Sequence, residues 1–345
     1  MEKFLCPVFD EAFSSWIYRC IKGSPVVGLM LGNIHVRSAP AKFIGEVRYE
    51  DPDFDLRSKF IRFCRKELSI DDDVLVATTS RMGGSLLPWS ARRLYCSECL
   101  SRDIADGLLP AWRKSWCYVT SAYCSVHHIE LSYFLGHEGL NKGWAAFAVE
   151  ANRIKEPPSS KVFRIWQSDP VHSTKNEILK KVSLWLDESF SQSDNLALRQ
   201  RLECFEFVLR MFLQSPTTQH VGGVAWHITH WGRGGSRLGR YRYSFIHSLR
   251  MGVIEAKINE RVCAFVLAAK VFSIVSDEDV GVMAEAMRDF YYYFSLSRFE
   301  LGRRSATFGC RQDYAYVIRK LKSYPLARSP GFMDFLMGIQ SEEVR

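Results

Sequence analysis

Cys96-Ser97-Glu98-Cys99 and Cys124-Ser125-Val126-His127 are two donor pairs at the same spacing, separated by residues 100–123. A C-x-x-C or C-x-x-H turn points two side chains at one ion. Two such turns supply the thiolate and imidazole donors of a tetrahedral zinc site. Four protein ligands leave no open position for water, so Cys96, Cys99, Cys124 and His127 are expected to hold one structural Zn2+ that supports the fold and does no catalysis. His128 adjoins His127 and is an alternative fourth ligand, though its expected role is that of a partly exposed neighbour. Cys117 breaks the spacing and is expected to pack beside Trp116. His137 lies outside the pattern and is left unassigned.

A second kind of chemistry is suggested by charge. From Phe207 to Ile254 the chain has no acid, yet it carries Arg210, Arg233, Arg237, Arg240, Arg242 and Arg250, with His220, His227, His230 and His247. Residues 229–243 interleave arginines with aromatics and glycines. Guanidinium forks bind phosphate bidentately, and aromatic faces stack on bases. Arg233, Arg237, Arg240 and Arg242 are therefore candidate contacts to nucleic acid or to an acidic protein, with a solvated loop as the plain alternative. A second basic run holds Arg303, Arg304, Arg311, Arg319, Lys320, Lys322 and Arg328 against the single acid Asp313. Arg319, Lys320 and Lys322 are candidate phosphate contacts along a helix face, and a solvated face again is the alternative.

Enzymatic signatures are missing. The G-x-x-x-x-G-K-[ST] phosphate loop, the G-x-S-x-G elbow and the H-E-x-x-H pair do not occur. Asp71, Asp72 and Asp73 suit the start of a helix, where negative charge is favoured, better than a metal cluster. A non-enzymatic protein is expected.

The elements that must position these residues are mostly helical. Phe13, Trp16, Ile17 and Cys20 recur at helical spacing, with Asp10 as the expected cap and Phe9 as a staple residue. Gly23-Ser24-Pro25 stops that helix, a short one follows through Val26–Leu31, and further helices are expected over Leu56–Leu68 and Val74–Thr79. Ile178, Leu179, Val182, Trp185 and Leu186 form a later apolar stripe, and Leu202, Phe205, Val208, Leu209 and Phe212 another. Val262–Ile274 and Val280–Phe290 read as helices, with Tyr291–Phe294 as a helix end. Glu156-Pro157-Pro158-Ser159-Ser160 reads as a linker. The expected architecture is mostly α: a helix-turn-helix-like N-terminal bundle over residues 1–93, a zinc-binding module over 94–150, and a basic helical domain over 151–345.

The 345 residues carry 46 Lys and Arg against 38 Asp and Glu, a net charge of +8. Residues 1–150 hold 18 of each, so the whole excess lies in 151–345, with 28 against 20. A sustained positive field suits a polyanionic partner. No apolar run is long enough to span a bilayer, and Lys270 interrupts the best one, Val262–Val275. The N-terminus lacks a signal-peptide pattern. Ten cysteines without such a signal suit a reducing compartment, so a cytoplasmic protein without a membrane partner is expected. Cys6, Cys20, Cys64, Cys204 and Cys263 are expected as buried small hydrophobes.

The donor pairs have company. Tyr95-Cys96-Ser97-Glu98-Cys99-Leu100 is followed by Asp103, Gly107, Pro110-Ala111-Trp112-Arg113-Lys114-Ser115-Trp116, Cys124-Ser125-Val126-His127 and Leu131. This resembles the TniQ family of transposon target-selection proteins, whose pattern runs C-P-x-C-L, an Asp, a P-Y-x-R-x-x-W-like segment, then C-x-x-H-x-x-x-L. Asp10 to Arg19 is similar to that family's E-S-L-x-S-W-L-x-R opening helix. The likeness covers roughly residues 5–135. Ser97 stands where Pro is usual, and Ala111 replaces a common aromatic. Ser132–Glu150 lacks the second set of C-x-x-C turns that many relatives carry, so a single zinc is expected.

The resemblance implies a target-selection adaptor. Its partners would be the transposon's AAA+ ATPase and either target DNA, read through helix-turn-helix elements, or an RNA-guided effector complex, often engaged as a homodimer. From the residues alone, Trp112 and Trp116 would share a helix face as core or as cover for the metal, and Arg113 would bond to Asp103 or a backbone carbonyl. A stand-alone zinc-containing, sequence-specific DNA-binding transcription regulator is the alternative function.

Overall fold

Apolar residues three and four apart start the first helix. α1 (Phe13–Gly23) buries Phe13, Trp16, Ile17 and Cys20, the stripe of an amphipathic helix. The computed structural model describes residues 4–30, 50–136, 139–152, 171–191, 195–218, 221–230, 239, 241–286 and 297–341. In it the cap of α1 is not the local residue expected. Asp10 has a φ of 60°, and Phe9 is 83% exposed, so neither staples nor caps the helix. Ala12 takes the N-cap position, and the carboxylate of Asp53 accepts the Ser14 N–H at 2.9 Å. Asp10 accepts from Ser115 N–H at 3.0 Å instead.

The described chain is mostly helical, with little sheet. It divides into two compact units. The first comprises Met1–Met82, Leu86–Ser121 and Leu131–Lys155. After α1 it contains α2 (Pro25–Met30), α3 (Lys59–Leu68) and α4 (Asp72–Thr79). Ser58 caps α3 by accepting from Ile61 N–H at 3.2 Å, and Ser69, at φ 52°, ends it in the left-handed region. Asp72 and Asp73 occupy the first turn of α4, as the helix dipole favours. Phe13, Trp16, Ile17, Phe60, Cys64, Leu68 and Leu75 meet in one hydrophobic cluster. β1 (Leu94–Tyr95) leads into α5 (Ser97–Ala105).

The second unit comprises Gly83–Ser85, Ala122–Glu130 and Glu156–Arg345. Its short hairpin pairs β2 (Tyr123–Cys124) with β3 (Ile129–Glu130), Cys124 opposite Ile129. In the first unit, β4 (Ser132–Tyr133) runs antiparallel to β1 with Leu94 opposite Tyr133, and α6 (Lys142–Ala151) follows.

The rest of the second unit is helical: α7 (Val171–Ser191), α8 (Leu196–Phe212), α9 (Val224–His230), α10 (Phe245–Glu255), α11 (Ile258–Val271), α12 (Asp277–Ala286), α13 (Arg298–Arg304), α14 (Arg311–Lys322) and α15 (Pro330–Ser341). α11 is buried from Glu260 through Val271, which makes it the spine of this unit. Phe205 packs edge-on against Phe265 and Phe272 at 5.9 and 5.2 Å. The two apolar stripes on α7 and α8 face this core. α13 and α15 approach through glycines: a Cβ on Gly302 would lie 2.0 Å from the Phe335 carbonyl oxygen, and one on Gly338 1.9 Å from that of Phe299. Among the described residues no helix is long and apolar enough to cross a membrane.

Several expectations fall outside the described residues: His137, the linker Glu156–Ser160, and the helix end Tyr291–Phe294. Cys20, Cys64, Cys204 and Cys263 are buried as expected, but Cys6 is exposed because the extended segment before α1 lies at the surface.

Candidate metal centre

Cys96 sits at the N-cap of α5 in an extended conformation, and its Sγ accepts the Cys99 N–H at 3.4 Å. The helix thus begins on the first ligand and carries the second in its first turn. Cys124 closes β2, and the His128 N–H returns to the Cys124 carbonyl at 2.8 Å. That turn leaves His127 Nδ1 3.8 Å from Cys124 Sγ. His128 has a φ of 55°, in the left-handed region that lets the chain reverse into β3. It is exposed, with its ring 6.3 Å from that of Tyr123.

One donor atom from each of Cys96, Cys99, Cys124 and His127 lies within 4.8 Å of every other. The three sulfurs are buried and no disulfide joins any of the cysteines. Metal–sulfur bonds of ~2.3 Å in a tetrahedron separate donors by ~3.8 Å, so shifts of about 1 Å bring all four onto one ion. Three thiols and an imidazole are a donor set for a borderline-soft cation. The arrangement fits one metal ion, and it is the one such group of cysteine, histidine and carboxylate donors among the described residues. Cys117 is outside the group. It is fully buried, and burial pushes its thiol well above the ordinary range.

The residues around the donors interlock with α1. Asp103, on α5, accepts from the Arg113 guanidinium at 2.5 Å and from Ala111 N–H at 2.9 Å. Trp112 N–H donates to Ser15 Oγ at 2.8 Å, and its carbonyl accepts the Ala12 N–H at 2.9 Å. Ser15 Oγ donates to Glu11 at 3.0 Å, and Arg19 donates to the other Glu11 oxygen at 2.6 Å. Trp112 and Trp116 are not on a common α-helix, because a short 3-10 turn over Lys114–Cys117 intervenes. They still meet edge to face with centroids 5.5 Å apart, both buried.

Three contacts had no signal in the sequence, since each joins distant residues. Arg92 is buried between Asp51 and Asp53, with its Nη1 2.8 Å from Asp53. Burial by itself would raise the Asp51 carboxyl; the attraction and hydrogen bonds of Arg92 hold it below the ordinary carboxylate range. Lys175 of α7, almost wholly buried, pairs with Glu130 at the end of the β2–β3 hairpin. Ser85 N–H donates to Glu206 at 2.7 Å.

Four of the seven candidate phosphate contacts lie among the described residues. Arg233, Arg237 and Arg240 fall outside the described residues. Arg242 is exposed just before α10. Arg319 and Lys322 are exposed on α14, whereas Lys320 turns inward and is half-buried, its Nζ 5.1 Å from the Tyr324 ring centroid.

Compared with family models, curated proteins and solved structures, the chain matches none.

Proposed function

We propose that this chain is a non-catalytic target-selection adaptor of the TniQ type, carrying one structural zinc. It would link a target, either DNA or an RNA-guided effector complex, to a transposon AAA+ ATPase and its transposase. One observation carries the proposal. The two segments that resemble that family, Asp10–Arg19 and Tyr95–Leu131, are far apart in sequence, yet their distinctive residues bond to one another. Ser15 and Ala12 clasp Trp112, and Glu11 and Arg113 pair in an isolated β-bridge. Glu11, Ser15, Arg19, Asp103 and Arg113 thus serve a single folded module. Zinc is the natural ion for a Cys3His set with four protein ligands. On this basis the N-terminal helices form a helix-turn-helix-like bundle that, with the metal module, recruits the partner protein, and the basic C-terminal half meets the target.

The test is selection of the zinc-loaded full chain against random duplex DNA near physiological salt, followed by capture of a transposon AAA+ ATPase on what is selected. An enriched motif that retains the ATPase is expected if the chain reads DNA itself. A folded chain that enriches nothing but captures an RNA-guided complex together with the ATPase supports the delegated form. A palindromic motif with no ATPase retained overturns the adaptor proposal in favour of a stand-alone transcription regulator.

A further inference from the structure

α14 has a face that no described residue of its unit covers. Its inner side holds Val317 and Leu321, both fully buried. Tyr316 meets the Phe207 ring edge at 6.2 Å, and Tyr314 Oη donates to the Gln340 carbonyl at 3.3 Å. On the opposite side Arg311, Gln312, Ala315, Arg319 and Lys322 are all exposed. At 100° per residue these five fall within an arc of ~100°. The helix's one acid, Asp313, points elsewhere, into a cavity it shares with Tyr243 and Ser244. Arg311, Arg319 and Lys322 have no ion pair with any described residue, while nearby Arg303 and Arg304 are both paired with Glu300. The exposed face therefore carries three uncompensated cations along ~16 Å of rigid helix.

We infer that this face of α14 enters the major groove of duplex DNA, with Arg311 and Gln312 reading base edges and Arg319 and Lys322 holding phosphates. The inference rests on the target-side half of the function proposed above, not on recruitment of an ATPase. The groove is ~12 Å wide and admits one α-helix. Arginine and glutamine are the side chains that match guanine and adenine edges there, and Ala315 between them is small enough for close approach or contact with a thymine methyl. Recognition helices place their first residues on bases, and here Arg311 and Gln312 open the helix. The deep, narrow groove of duplex RNA does not admit such a face.

The experiment is the random-duplex selection repeated with three variants of the full zinc-loaded chain: Arg311→Ala, Gln312→Ala, and the double variant Arg319→Ala with Lys322→Ala. All four positions are exposed, and unchanged thermal melting checks that each variant folds. The wild type is expected to enrich a motif. Arg311→Ala and Gln312→Ala should each relax the preference at their own base position by about tenfold or more. The double variant should weaken binding to all sequences alike and reduce the slope of log affinity against log salt by about two. A wild-type motif that all three variants reproduce unchanged would overturn the assignment to α14 and leave DNA reading intact. A wild type that binds no duplex DNA, or binds duplex RNA equally well, would overturn both.

Discussion

Cys96 with Cys99, and Cys124 with His127, are donor pairs built on local turns, and together they place four donor atoms within 4.8 Å of one another. Which neighbour is not a ligand is also a residue-level matter: His128 is committed to a left-handed turn and His127 is not. His127→Ala should therefore lose tight metal binding, while His128→Gly, which suits the turn, should keep one ion per chain by metal analysis. Asp51 and Asp53 could not be read from the sequence because their partners are remote, whereas the two-residue spacing of each donor pair could be. Asp53 bonds Ser14 from 39 positions away, and Arg92 reaches Asp51 from 41. Asp103→Ala would leave Arg113 buried without its partner, at a cost of ~3–5 kcal/mol in urea unfolding. Asp51 sets a pH dependence with a definite sign. Its folded value lies below the unfolded one, so its stabilisation is complete above pH ~4 and disappears as pH falls through the lower folded value. Asp51→Asn should lose stability at neutral pH and lose less on acidification than the native chain does, as thermal melts across pH 2–7 would record.

Elements were legible where a helix shows one face to water. The stripes through Phe13 and Trp16, Ile178 and Val182, and Leu202 and Phe205 appear as α1, α7 and α8. Caps were less legible, because a cap is set by whichever oxygen reaches the helix end. α1 takes Asp53 in place of the adjacent Asp10, which is turned toward Ser115. Trp112 and Trp116 have helical spacing but lie across a 3-10 turn, held by bonds to α1 that periodicity does not encode. The α13–α15 crossing shows the same limit: Gly302 and Gly338 look like helix weaknesses in the sequence, yet they are the points of closest approach. Gly338→Ala should cost at least ~2 kcal/mol, since its methyl would meet the Phe299 carbonyl oxygen and the helices must move apart. Equilibrium denaturation of the variant against the native chain checks this.

For the molecule as a whole, charge is unevenly divided along the chain. The first 150 residues are electrically balanced and hold the interlocked motif residues; the remainder carries the entire positive excess. That asymmetry was readable from the sequence, but the residues that express it were not all those expected: Lys320 is withdrawn against Tyr324, and Arg311 takes its place on the exposed side of α14. In the donor cluster Cys96 caps α5, Cys99 lies in its first turn, Cys124 closes β2 and His127 lies in the turn that follows. A structural ion in such a module contributes folding free energy directly. The most direct test is metal analysis of the full chain purified without added metal, beside Cys96→Ser and Cys124→Ser. One zinc per chain is predicted, with loss of the ion and a lower melting temperature in both variants. Far less than one ion per chain, or variants that melt with the native protein, would contradict the account.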